Sequence, residues 1–267
     1  MALRWLLPVL FSFLGQAAPP GQEGRSDPAA RLEFMKTSMA SYQVHSTAEP
    51  AMAYPLQAEP ALRFTNPISG VSDGAVFFWI GGAGRPEATV QFYQGRSGTW
   101  VLELTSLSTA PFTAEGGLGL DWRPERSGVE FRSIAGAPRP AETASERLRQ
   151  MHALARAFAV EDHFQRKSWH ALRLLARPLA RYGEPGSTPG DGAVFSFVLG
   201  TNPEAFLMIE SRIGADGAEW QYALAPMTGY ALKGSYQGQE VWSLPPRTGP
   251  QSRPTDPWFV FRPRTSK

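Results

Sequence analysis

The residues best suited to chemistry at neutral pH are the four histidines, His45, His152, His163 and His170. His163 and His170 stand seven apart, close to two helical turns, with Glu161 and Asp162 beside the first. On one helix face, His163, His170 and Asp162 would suit a metal ion. Neither H-x-x-x-H nor H-E-x-x-H occurs, and Glu161–Lys167 reads as a polar helix end and loop. His152 reads as projecting from the polar side of a helix. No metal site and no cofactor are expected.

Serine chemistry has no better support. G-x-S-x-G and S-x-x-K are both missing, and Ser97 falls in Gly95-Arg96-Ser97-Gly98, a hairpin tip. Gly81-Gly82-Ala83-Gly84 joins two strands, whereas a phosphate loop must open a helix so that amides and dipole meet the anion. The chain has no cysteine, which removes disulfides, thiolate nucleophiles, Cys-ligated zinc, iron–sulfur clusters and a lipidated N-terminal Cys.

Paired carboxylates remain. Asp73 and Asp191 take matching places in two similar stretches, as do Glu87 and Glu204. A two-fold axis bringing Asp73 to Asp191 would make a carboxylate dyad. The simpler expectation is that each aspartate caps an Asx-type turn before its glycine. Glu87 and Glu204 each follow proline and read as solvated strand ends. Trp100, Trp122, Trp220 and Trp242 also recur at matching places. Exposed, they would form a platform for sugars or peptides; core packing is the expectation. No catalytic or binding residue is singled out.

The elements that position these residues repeat. Phe64–Phe92 aligns with Tyr182–Ile209 with a one-residue gap, and 11 of 28 pairs are identical. Asp73-Gly74-Ala75-Val76-Phe77 matches Asp191-Gly192-Ala193-Val194-Phe195, and Pro86-Glu87-Ala88 matches Pro203-Glu204-Ala205. Upstream, Leu56, Ala58, Pro60 and Arg63 pair with Leu174, Ala176, Pro178 and Arg181. Chance likeness of two strand-rich stretches would not keep five separate matches in order, so an internal duplication is expected.

Each unit opens on a helix. Asp27-Pro28 is a cap and first-turn proline, followed by an apolar stripe at Leu32, Met35, Met39 and Tyr42. Thr143-Ala144-Ser145-Glu146 is a capping box, followed by Leu148, Met151, Ala155 and Phe158. Arg31, Glu33, Arg149 and Arg156 lie on the opposite faces. Strands are expected at Ala75–Ile80, Ala88–Tyr93 and Trp100–Leu104, and at Ala193–Leu199, Ala205–Ile209 and Trp220–Leu224. Further strands fall near Leu118–Trp122, Ala231–Tyr236 and Glu240–Leu244, with Val129–Ile134 and Phe259–Arg262 closing each unit. The expected class is α+β, each unit an amphipathic helix packed on an antiparallel sheet. The units run over 27–134 and 143–263, with a linker at 135–142 and a tail at 264–267. Sequence leaves open whether the two sheets stack or join at their edges.

Residues 1–17 read as a secretory signal. Arg4 is the basic region, Trp5–Leu14 the apolar run, and Gly15-Gln16-Ala17 places cleavage after Ala17. A membrane anchor is the alternative, but the run is too short to span a bilayer. Residues 18–26 read as a disordered leader. Gly and Pro number 26 and 24 in 267 residues, a turn-rich globular composition. The net charge of +2, with scattered arginines, gives no field for nucleic acid. A periplasmic or extracellular protein without a membrane span after cleavage is expected, its partners unspecified.

Arg173–Tyr182 (RLLARPLARY), Asp191–Glu210 (DGAVFSFVLGTNPEAFLMIE) and Trp220–Leu224 (WQYAL) resemble a family of exported bacterial proteins of unassigned function. The resemblance implies export and a tandem α+β architecture, and brings no catalytic residue. Three functions are carried forward. The first is a non-catalytic binding or structural protein of the cell envelope. The second is a carrier holding an apolar ligand between helix and curved sheet. The third is a hydrolase with an unrecognised site; sequence leaves open whether the interface of the units holds one.

Overall fold

A computed structural model describes residues 27–183, 190–215, 217–247 and 252–263. The expected signal, leader and tail lie outside the described residues. Both helix caps form. Asp27 accepts from the Ala30 amide and starts α1 (Pro28–Ala40). Thr143 accepts from the Glu146 amide and starts α2 (Ala144–Arg156), and the Thr143 hydroxyl donates back to the Glu146 carboxylate at 2.7 Å. Tyr42 and Phe158, expected as the last members of the helical stripes, are instead the first residues of strands. At such a boundary an inward apolar residue fits either period.

After α1 come β1 (Tyr42–Ser46), β2 (Leu62–Asn66), β3 (Val71–Ile80), β4 (Pro86–Gly95) and β5 (Trp100–Ser106). Then follow β6 (Phe112–Gly116), β7 (Leu120–Trp122) and β8 (Arg132–Ser133). After α2 come β9 (Phe158–Phe164), β10 (Ser168–Ala171), β11 (Arg173–Leu174), β12 (Ala180–Tyr182) and β13 (Gly192–Leu199). The chain continues through β14 (Asn202–Gly214), β15 (Gly217–Pro226), β16 (Leu232–Tyr236), β17 (Gln239–Leu244) and β18 (Trp258–Phe261).

The α+β expectation of helix-on-sheet units is overturned. Strand accounts for 49% of the structure and helix for 13%, in two helices, and the strands form four sheets. Each half divides its strands between a large and a small sheet, which period-two alternation cannot foretell. The large sheets run β18-β5-β4-β3-β2 and β11-β13-β14-β15-β8, with β12 also on β13. The small sheets run β1-β6-β7 and β10-β9-β16-β17.

The large sheets stack face to face. On β3, Ala75, Phe77 and Trp79 pack with Met35 and Met39 of α1 and with Phe112 and Trp122 of the small sheet. The alternate residues Val76 and Phe78 pack on Val194, Phe206 and Met208 of the other large sheet. Phe78 and Phe206 meet with ring centroids 6.2 Å apart. In the C-terminal half, Phe195, Leu207 and Ile209 face Met151, Leu154 and Ala155 of α2. The central strands are therefore covered on both faces, which accounts for their unbroken apolar runs.

The closing strands cross over. β8 pairs with β15 (Tyr222 opposite Arg132), and β18 pairs with β5 (Trp258 opposite Thr105). Each half thus completes the large sheet of the other, where each was expected to close its own. The exchange covers two sheet edges that would otherwise offer unpaired backbone groups.

The Asp-Gly pairs are not turns. Asp73 and Gly74 lie within β3, and Gly192 begins β13. The glycines make room for a ring on the neighbouring strand: a Cβ at Gly74 would sit 2.6 Å from Phe64, and one at Gly192 2.6 Å from Tyr182. Among the described residues no helix is long and apolar enough to cross a membrane.

Candidate ligand cleft between the two halves

Asp73 and Asp191 do not cap turns and do not form a dyad; each is held by two arginines of its own half. Arg31 of α1 reaches Asp73 at 2.8 Å, and Arg63 of β2 grips both its oxygens at 3.1 and 2.9 Å. Arg147 of α2 reaches Asp191 at 2.9 Å, and Arg181 of β12 grips it at 3.0 and 2.5 Å. In both clasps the strand arginine also donates to a first-turn carbonyl of the helix, Pro28 or Ala144. Burial pulls the Asp73 carboxyl up, but Arg63 and Arg31 outweigh it and hold the group below its ordinary value. Saturated in this way, the aspartates tie helix to sheet. Arg31, expected on the solvated face, is part of that tie.

The histidines are placed by strands, not by a helix. β9 and β10 form a hairpin in which His163 faces Trp169 and His170 faces Asp162. His163 stacks on Trp169 at 5.1 Å, and His170 Nε2 bonds the Ser168 hydroxyl at 2.8 Å. Among the described residues no three His, Cys, Asp or Glu converge as metal ligands. His152 does not project into solvent but packs edge-on against Phe195 at 5.3 Å. Ser97 meets only the Thr99 hydroxyl, at 3.0 Å. Trp100, Trp122 and Trp220 are buried in the cores, while Trp242 is half-buried.

The two Pro-Glu-Ala segments carry the informative difference. Ile80 pairs with Pro86 and Trp79 with Ala88, so Glu87 is the extra residue of a β-bulge. Val198 pairs with Pro203 and Phe197 with Ala205, so Glu204 is the extra residue of the same bulge. A bulge re-aims the side chain that alternation would otherwise place. In the N-terminal half the residue before Pro86 is Arg85, whose Nη1 neutralises Glu87 at 2.9 Å. Arg85 also binds Glu210 of β14 at 2.8 Å, and Tyr182 and Arg212 complete that buried knot between the halves. In the C-terminal half the residue before Pro203 is Asn202. Asn202 Nδ2 donates to Glu204 Oε1 at 2.7 Å, and among the described residues no cation pairs with the carboxylate.

Glu204 is 1% exposed, not a solvated strand end. Among the described residues, its Oε2 and the Oδ1 of Asn202 have no hydrogen-bond partner. Both residues line a cleft of about 300 Å³ whose walls come from the two halves. Glu103 of β5 lines it too, accepting from the Tyr93 hydroxyl at 3.2 Å and from Gln91 Nε2 at 3.4 Å. Arg166, Arg247 and Arg262 line the same space. Burial pushes the Glu204 carboxyl well above its ordinary value, and the charges of Glu103 and Asp162 add to the rise; bonds from Asn202 and Thr228 oppose it. Burial likewise brings Glu103 up to about 7, against Tyr93, Arg262 and Gln91. Asp162, with both oxygens buried and unpartnered, is raised by burial to about 6, His170 opposing.

Sequence reasoning passed over Glu103 and dismissed Glu204. The visible signal was the exchange of Arg85 for Asn202 before an otherwise identical Pro-Glu-Ala. Compared with family models, with curated proteins and with solved structures, the chain matches none.

Proposed function

We propose that the chain is an exported binding protein of the cell envelope, built from two copies of one unit, which holds a small polar ligand in the cleft at Glu204. One observation carries the site: the same bulge glutamate is neutralised by Arg85 in one half and, among the described residues, left without a cation in the other. A buried carboxyl with unfilled hydrogen-bonding capacity is costly, and a ligand that supplies donors repays that cost on binding. Export rests on Arg4, the apolar run Trp5–Leu14 and the small residues before the cleavage point at Ala17. Duplication is supported by the repeated helix cap, Arg–Asp–Arg clasp and bulge.

The reading is tested by native mass spectrometry of the mature protein from its own host, beside Asn202→Arg. The variant restores the arrangement of the N-terminal half. The wild type is expected to carry a small adduct that the variant lacks. A wild-type mass equal to the bare chain, or an adduct that persists in the variant, contradicts the reading. The same preparation reports on export: a retained Met1 on cytoplasmic material refutes it.

A hydrolase is the second reading, favoured by Glu103. A carboxyl raised to about 7, beside a second one that burial also raises, is suited to general acid–base work. Turnover lost in Glu103→Gln with the fold retained would establish it. For the apolar carrier, the groove between α1 and β1 is larger, about 710 Å³. It is lined mostly by apolar residues, Tyr42, Val44, Tyr54 and Leu56 with smaller ones, and by no Phe, Trp or Met.

A further inference from the structure

We propose that the cleft takes a zwitterion of amino-acid size, its ammonium received by Glu204 and Asn202 and its carboxylate by Arg166, Arg247 and Arg262. The proposal rests on the cleft being a ligand site and adds the chemistry of the occupant.

Asn202 and Thr228 leave part of the acceptor capacity of the cleft unfilled. Glu204 Oε2 and Asn202 Oδ1 are buried acceptors with nothing to accept. An ammonium brings three N–H groups and a positive charge, and it meets both needs at once. The charge matters because Glu103 and Asp162 act on Glu204 as neighbouring negative groups, while among the described residues no arginine pairs with Glu204 itself. A metal ion would also supply charge, but among the described residues no three ligating side chains converge.

The same cleft carries positive charge: Arg247 is half-buried, and Arg166 and Arg262 stand exposed at it, Arg262 acting on Glu103. Among the described residues, Arg166, Arg247 and Arg262 make no ion pair, although all three line the space. Arg247 lies over the Trp258 ring at 5.3 Å and is partly desolvated without a carboxylate in contact. A guanidinium in that state is completed by a carboxylate, whose two oxygens match its fork. A neutral sugar would fill the acceptors and leave the arginines unmatched; a plain amine or a plain acid would satisfy one side only. At about 30 Å³ per water, 300 Å³ holds about ten heavy atoms, the size of a free amino acid.

The test is isothermal titration of the full mature chain with free amino acids, n-butylamine, butyrate and glucose. At least one amino acid is expected to bind, with butylamine and butyrate about tenfold weaker or worse. Glu204→Gln, which keeps the side-chain shape, and Arg247→Gln are each expected to weaken that amino acid about 30-fold or more, with an unchanged far-ultraviolet spectrum. Butyrate or glucose binding as tightly as any amino acid overturns the zwitterion; loss of that binding in Glu204→Gln would still support the cleft. If no probe binds, the proposal is overturned. In that case a host-derived adduct sensitive to Asn202→Arg would keep the ligand site, and its absence would remove both.

Discussion

Glu87 and Glu204 share one bulge geometry, and a single neighbouring residue decides what each does. With Arg85 the carboxylate enters an ion pair; with Asn202 it stays buried without a counter-charge among the described residues. This fixes the sign of a pH dependence. Glu103, Asp162 and Glu204 all have folded values above their unfolded values near 4, so their contribution to stability is complete at low pH. It is lost as pH rises through about 6 for Asp162 and about 7 for Glu103. Asp73 works the other way: its folded value is depressed, so its contribution is present above about 4 and fades as pH falls. Urea midpoints are expected to peak between about pH 4 and 6 and to fall toward pH 8. Glu204→Gln is expected to exceed the wild type at pH 8, with the gap closing toward pH 4. A wild-type midpoint that rises steadily to pH 8 would contradict this. At the clasps, Asp191→Ala is expected to cost about 3 kcal/mol, because Arg147 is left buried without its partner. Asp73→Ala is expected to cost less, since Arg31 retains more solvent; urea titration at pH 5 measures both. The equivalence of the two aspartates and of the two glutamates was legible in the aligned sequence. Their surroundings were not, because a bulge turns a side chain without leaving a mark in residue order.

At the scale of elements, caps and central strands were legible and sheet membership was not. Asp27 and Thr143 start helices because their side chains satisfy first-turn amides, a local matter. Ala75–Ile80 reads as a covered strand because six consecutive residues suit a dry environment. The hairpin of β9 and β10 was hidden, since Glu161–Lys167 is polar enough to pass for a loop, and β1 was hidden behind the stripe of α1. Asp-Gly looked like a turn because glycine there also serves a turn. Its role in β3 is to admit the Phe64 ring across the strand pair. Gly74→Ala is accordingly expected to cost about 1–3 kcal/mol through overpacking. The cost should shrink when Phe64→Ala is also present, and a double-mutant cycle in urea measures that coupling. Strictly additive effects would place the ring elsewhere.

The whole molecule is held by exchange. β8 and β18 each finish the other half's large sheet, the two large sheets share a core around Phe78 and Phe206, and Arg85 binds Glu210 across the halves. Residues 27–134 expressed alone therefore lack an edge strand, a sheet partner and a buried counter-charge. They are expected to give no cooperative thermal transition, whereas co-expression with 135–267 is expected to restore one. A cooperative melt of the isolated half would contradict the exchange. The cleft belongs to this scale too, since Glu103 and Glu204 come from different halves and meet only in the assembled fold.

The central claim is that the C-terminal half keeps a buried, un-neutralised carboxyl where the N-terminal half has an ion pair. Carbon-13 NMR of the mature protein, labelled at the glutamate side-chain carboxyls and titrated from pH 4 to 9, tests it most directly. The account predicts one carboxyl titrating well above the ordinary glutamate range that disappears in Glu204→Gln and returns toward that range in Asn202→Arg, with Glu103 titrating separately near neutrality. A spectrum in which every glutamate is ionised by pH 6, in wild type and variants alike, would contradict it.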